Sequence, residues 1–121
     1  MAKQILVVDD DPDITTLLQA RLQANGYHVT TAGDGTSALK KIRESAPDLI
    51  ILDMMMPDIQ GSTLCSSLKA DDKYQFIPVI ILTARNNEYD RELVRTIKAD
   101  AYFSKPFDPE KLLKKIKDLV S

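Results

Sequence analysis

The chain's single cysteine, Cys65, leaves no second thiol for an internal disulfide, so a reducing compartment is expected. No apolar stretch approaches the roughly 20 residues of a membrane-spanning helix, and no basic-then-apolar leader precedes the first β-branched run. A cytoplasmic location with no membrane partner follows as the expectation. A basic excess is missing too: Lys and Arg total 16 against 18 Asp and Glu, for a net charge of −2. Nucleic acid needs a basic field, so it is not expected as a partner of this surface. The one histidine, His28, lies in a weak polar strand away from the acids discussed below, which argues for a surface residue and against histidine catalysis. Repeats, low-complexity tracts and linkers are absent, and residues 1–121 read as a single domain without an output domain. A chain of this length buries roughly two-thirds of its unfolded surface, enough for a sizeable core.

What is present is alternation. Ile5–Val8, Leu49–Leu52 and Val79–Leu82 are continuous apolar runs, as in strands covered on both faces. Tyr27–Ala32 is a weaker, more polar strand suited to an edge, and Ala101–Ser104 completes the set. Between them lie stretches of helical period. Asp11-Pro12 is an N-cap with proline at the first helical position, followed by Ile14, Leu17, Leu18 and Leu22 on one face and a stop at Asn25-Gly26. Asp34-Gly35 leads into Ala38, Leu39 and Ile42. Leu64, Cys65 and Leu68 stripe a third helix, with Cys65 as a small buried hydrophobe. Tyr89, Leu93, Val94 and Ile97 mark a fourth. Asp108-Pro109-Glu110 starts the last, whose face is Leu112, Leu113, Ile116, Leu119 and Val120 and whose wet side carries Lys111, Lys114, Lys115 and Lys117. Strands alternating with helices make βαβ units and a parallel sheet. Right-handed crossovers with helices on both faces require the strand order to reverse, and the order 2-1-3-4-5 puts the first and third strands side by side.

Each core strand runs into a polar residue of a different kind. The first meets Asp9-Asp10, the third Asp53, the fourth Thr83 and the fifth Lys105. Open α/β sheets bind ligands outside the carboxyl ends of their strands. Clustered carboxylates resist ionisation unless neutralised. Lys105 supplies one positive charge, and Mg²⁺, a hard cation held by one or two carboxylates with waters and a phosphate, fits the remainder. Asp11 is accounted for by helix capping, whereas Asp9 and Asp10 sit on the strand end and suit the metal better. Asp53 is either a third metal ligand, a loop cap, or a nucleophile toward phosphorus. Thr83 is either a β-branched strand end or a hydroxyl for a phosphoryl oxygen. Lys105 is either a surface cation or the counter-charge for phosphoryl transfer.

With those residues in place the chain resembles the receiver domain of bacterial two-component response regulators. The motifs are Leu6-Val7-Val8-Asp9-Asp10, Asp53 with Met56-Pro57 and Gly61, Leu82-Thr83-Ala84, and Tyr102 ahead of Lys105-Pro106-Phe107. The resemblance implies a flavodoxin-like (βα)5 doubly wound sandwich. It implies that Asp53 accepts a phosphoryl group from a sensor histidine kinase or a histidine phosphotransfer protein, by chemistry the receiver itself supports, and relays the event to a downstream protein or fused output domain. By the same resemblance Asp10, Asp53 and the backbone carbonyl of Met55 bind Mg²⁺, with Asp9 acting through a water. Lys105 pairs with Asp53 and then with phosphate. Thr83 and Tyr102 form the switch, and a cis bond precedes Pro106.

Some positions depart from the family pattern. Lys98 stands where glycine is usual at the end of the fourth helix, and a left-handed lysine there would cost about 1 kcal/mol. Gln60 replaces a frequent acid. On the face used for dimers, Arg91 and Asp100 are available but Ala101 and Lys111 supply no acids, so at most a weak or phosphorylation-dependent homodimer is expected. Met55 and Arg85, each two residues past a site residue, overhang the phosphoryl group and offer no base, so hydrolysis on the order of minutes or longer is expected. Met56 should anchor its loop in the core and Met55 be partly exposed. A magnesium-dependent phosphohydrolase is the rival, since Asp9 and Asp11 form an Asp-x-Asp. It lacks a cap insertion and leaves Asp53 without a role. A phosphorylation-independent module would have lost some of Asp10, Asp53 and Lys105, and none is missing. A flavin carrier would need a Gly/Ser/Thr phosphate cradle after the first strand, where this chain is acidic.

Overall fold

The structure, a computed structural model, describes residues 2–84 and 88–120. Arg85 and the side chain of Tyr89 therefore lie outside the described residues. In chain order the elements are β1 (Gln4–Val8), α1 (Pro12–Ala24), β2 (His28–Ala32), α2 (Gly35–Glu44) and β3 (Leu49–Asp53). They continue with α3 (Gly61–Lys69), β4 (Val79–Thr83), α4 (Glu88–Thr96), β5 (Ala101–Ser104) and α5 (Pro109–Val120). The strands form one parallel five-stranded sheet in the order β2-β1-β3-β4-β5. The reversal between β1 and β3 is where the sequence placed it, and β2 is an edge.

Local chemistry explains the helix boundaries. Asp11 accepts the Asp13 N–H at 2.9 Å, with Pro12 opening α1. Asp34 accepts the Ser37 N–H at 2.7 Å and Asp108 that of Glu110 at 2.9 Å, so α2 and α5 start on the same device. Gly26, at φ +88°, takes the left-handed conformation that ends α1. Lys98 ends α4 in the same region at φ 65°. The backbone there follows the path that glycine favours, with lysine in its place.

Because side chains alternate across a strand, the sheet separates two cores. Leu6, Val8, Ile50, Leu52, Val79 and Ile81 face α2, α3 and α4. Ile5, Val7, Leu49, Ile51, Ile80 and Leu82 face α1 and α5. Cys65 is fully buried and His28 is exposed, both as expected. Leu17 corrects the expected stripe of α1, because it is 41% exposed. Ile14, Leu18 and Leu22 follow an i, i+4 row that faces the sheet, and Leu17 points about 100° away from Leu18.

Candidate functional site

Parallel pairing carries the polar strand ends to one rim. Val8 is in register with Leu52, so Asp9 comes to lie beside Asp53. Asp53 opposes Leu82, and Thr83 opposes Ser104. The Asp9 N–H donates to the Ala32 carbonyl at 3.1 Å, and the Lys105 N–H to the Thr83 carbonyl at 2.7 Å. Both residues thus extend the ladder one step past their strands. Asp9, Asp53 and Thr83 are buried and Asp10 is exposed. One carboxylate oxygen from each of Asp9, Asp10 and Asp53 lies within 4.8 Å of the others.

Lys105 closes the site from β5, and the peptide bond to Pro106 is cis. Its Nζ donates to Asp9 Oδ2 at 2.8 Å and stands 3.6 Å from Asp53 Oδ1. The expected ion pair with Asp53 is present, and Asp9 is a second and nearer partner. The other Asp9 oxygen accepts the Asp11 N–H at 2.9 Å, and Asp53 Oδ1 accepts the Met55 N–H at 3.3 Å.

Burial pushes the Asp53 carboxyl up to about 6, and the neighbouring charge of Asp9 adds to it. Lys105 and the Met55 N–H oppose that rise without cancelling it, and Asp10 adds a little more. Burial alone would lower the Lys105 ammonium, but its bond to Asp9 and the charges of Asp53 and Asp9 outweigh burial and raise it. Among the described residues, the rim thus gathers three carboxylates around one lysine. Hard oxygen donors gathered in this way are the chemistry that Mg²⁺ takes up, so the residues fit that ion.

The loop after Asp53 turns back sharply. Met54 and Met56 are buried, and Met55 is 46% exposed, matching the expectation for Met55 and Met56. The Gly61 N–H donates to the Met54 carbonyl at 2.9 Å. A Cβ on Gly61 would stand 2.0 Å from the Asp53 carbonyl oxygen, so only glycine fits. Tyr102 is half-buried and lines a groove with Arg91, Val94 and Arg95.

Two interactions had no local signal in the sequence. The Asp58 carboxylate bonds the start of α2. Asp100 Oδ2 accepts the Val79 N–H at 2.7 Å and pairs with Lys69 Nζ at 2.8 Å. Asp100, expected to be available on a dimer face, bonds α3 and β4 while its side chain stays partly exposed. Each contact joins residues more than twenty positions apart, beyond the reach of any capping or turn motif.

A family model described as the response regulator receiver domain matches residues 5–117. The alkaline phosphatase synthesis transcriptional regulatory protein PhoP of Bacillus subtilis is 44% identical over 120 residues, covering 99% of this chain and 49% of that protein. The chain spans about half the length of the curated relatives it matches. A putative response regulator from Chloroflexus aurantiacus superposes with a TM-score of 0.94 at 31% identity, covering 99% of this chain and 98% of that one. The chemotaxis protein CheY4 of Vibrio cholerae superposes with a TM-score of 0.91 at 32% identity, covering 98% of this chain and 99% of that one. No helix among the described residues is long and apolar enough to cross a membrane.

Proposed function

The chain belongs to the response regulator receiver domain family, and from that membership we propose a phosphorylation switch in which Asp53 is the acceptor. The observation that carries this reading is the rim itself: a buried aspartate at the end of β3, flanked by Asp9 and Asp10 and faced by Lys105. An Asp53 oxygen attacks the phosphorus of a phosphohistidine on a sensor kinase or phosphotransfer protein. An acyl phosphate P–O bond forms, the P–N bond breaks, and the imidazole leaves with its electron pair and takes up a proton. Mg²⁺, held by Asp10, Asp53 and the Met55 carbonyl with Asp9 acting through a water, would neutralise charge on the transferring phosphoryl oxygens. The Lys105 ammonium, now closest to Asp9, is poised to shift toward the added charge. The Thr83 hydroxyl, at the adjacent strand end, donates to a phosphoryl oxygen, and Tyr102 follows Thr83 inward. The unit 1–121 works as one cytoplasmic receiver that relays this change to a downstream protein or an output domain.

Incubation with labelled acetyl phosphate and Mg²⁺ is the test. Wild-type chain takes up label and Asp53→Asn takes up none. Full labelling of Asp53→Asn would move the acceptor elsewhere, and steady turnover of a generic phosphomonoester would favour a hydrolase. Met55, exposed two residues past the acceptor, offers no base to an attacking water. The label should therefore persist on the order of minutes or longer, and loss within seconds at neutral pH would contradict this.

A further inference from the structure

Asp58 lies in the loop between β3 and α3, and both of its oxygens are occupied. Oδ1 accepts the Gly35 N–H at 2.9 Å and the Ile59 N–H at 2.7 Å. Oδ2 accepts the Thr36 N–H at 3.0 Å and the Thr36 hydroxyl at 2.6 Å. The first amides of a helix have no partner within it and favour negative charge. Asp34 takes the Ser37 N–H of α2 from its own cap position. The amides of Gly35 and Thr36 are left to a residue from another loop. The Thr36 hydroxyl first, then the Gly35 amide, hold the Asp58 carboxyl well below the usual carboxylate range, so it is a full anion at neutral pH.

Packing reinforces the same junction. A Cβ on Gly35 would stand 2.6 Å from the Cβ of Ile59, so loop and helix touch where only glycine allows it. At its other end the loop is tied to the sheet, because the Met54 N–H donates to the Leu82 carbonyl at 2.8 Å. Met55, Met56 and Pro57 are the span between these anchors.

We propose that Asp58 is a positioning residue: by fastening the loop to the start of α2 it holds the Met55 carbonyl in place for a divalent cation at Asp10 and Asp53. The inference rests on the cation site proposed above. It assigns part of that site's affinity to an exposed side chain that touches neither ion nor phosphate. Outer partners that orient metal ligands commonly contribute 10- to 100-fold in affinity.

The measurement is Mg²⁺ affinity of the whole chain by calorimetry, with urea denaturation in EDTA and amide exchange at Gly35, Thr36 and Met55 alongside. Asp58→Ala should bind Mg²⁺ roughly tenfold more weakly, with faster exchange at all three amides. Thr36→Val, which removes only the hydroxyl bond and keeps the test open should Asp58→Ala fail to fold, should show a loss of about two- to threefold. Labelling of Asp58→Ala by acetyl phosphate should slow by the same factor at low Mg²⁺ and recover at saturating Mg²⁺, a split that a simple helix cap would not produce. Wild-type Mg²⁺ affinity in Asp58→Ala overturns the inference, whatever its urea midpoint. If wild-type chain itself binds no Mg²⁺, the cation site falls and this inference with it. If wild type binds Mg²⁺ and takes label while Asp58→Ala does both equally well, only this inference falls.

Discussion

The two rims of the sheet treat charge in opposite ways. At the start of the strands, Asp100 and Lys69 form a matched pair at 2.8 Å. Lys69 also donates to the Ile77 carbonyl at 2.9 Å, and Asp100 accepts the Val79 N–H. Each group there is offset, and the result ties α3, β4 and the turn before β5 together. At the other rim, among the described residues, Asp9 and Asp53 share Lys105 with Asp10 gathered beside them, and Asp53 is pushed up to about 6. The balanced rim is built for stability. The clustered acids make the other rim less stable than it would be with fewer of them, and the cation proposed above would neutralise their charge.

The largest expected effect tests this contrast directly. The folded Asp53 carboxyl titrates at about 6, above its ordinary value of 3.8. Between those values the folded chain keeps a proton that the unfolded chain has released, so stability falls as pH rises through that window and levels off above it. In EDTA at pH 7, Asp53→Asn should be more stable than wild type by about 2–3 kcal/mol, following the roughly 1.4 kcal/mol per pKa unit. The pH dependence between 4 and 6 should flatten in the same variant. Mg²⁺ should stabilise wild type by mass action. Urea denaturation of both chains at several pH values checks all of this, and an Asp53→Asn chain no more stable than wild type at pH 7 would remove the contrast.

A change at the opposite rim should move stability the other way. Lys69→Met strips Asp100 of its cation and leaves the Ile77 carbonyl short of a donor. A loss of about 2 kcal/mol is expected, below the range for fully buried pairs because Asp100 is partly exposed. Phosphoryl uptake by Asp53 should persist in this variant. Equal stability of Lys69→Met and wild type would mean that the balanced rim contributes nothing.

The smallest effect sharpens the boundary between the two. Lys98, close to Asp100 in sequence, holds a left-handed conformation that glycine adopts without penalty. Lys98→Gly should raise stability by about 1 kcal/mol and leave Mg²⁺ binding unchanged. A stability loss would mean that the lysine side chain contributes more than its backbone strain removes.

The helices, strands and their order were legible because their causes are local. The Asp11-Pro12, Asp34 and Asp108 caps act over two or three residues, and Leu49–Leu52 reads as a doubly covered strand on its own. From parallel strands and a reversing order it also followed that residues 9, 53, 83 and 105 would share a rim. The closer partner of Lys105 on that rim was not legible. Lys105 lies nearer Asp9 than Asp53 by a margin of tenths of an ångström, set by side-chain packing across 96 positions of sequence. Asp58 found α2, and Asp100 found Lys69, across loops that carry no trace of the partner. Leu17 was misplaced for a related reason: a helical stripe says which residues share a side, and contact with the sheet selects the row that is buried. Periodicity and capping are written into neighbouring residues, so they survive in the bare chain. Charge partners depend on distances that exist only once the chain has folded.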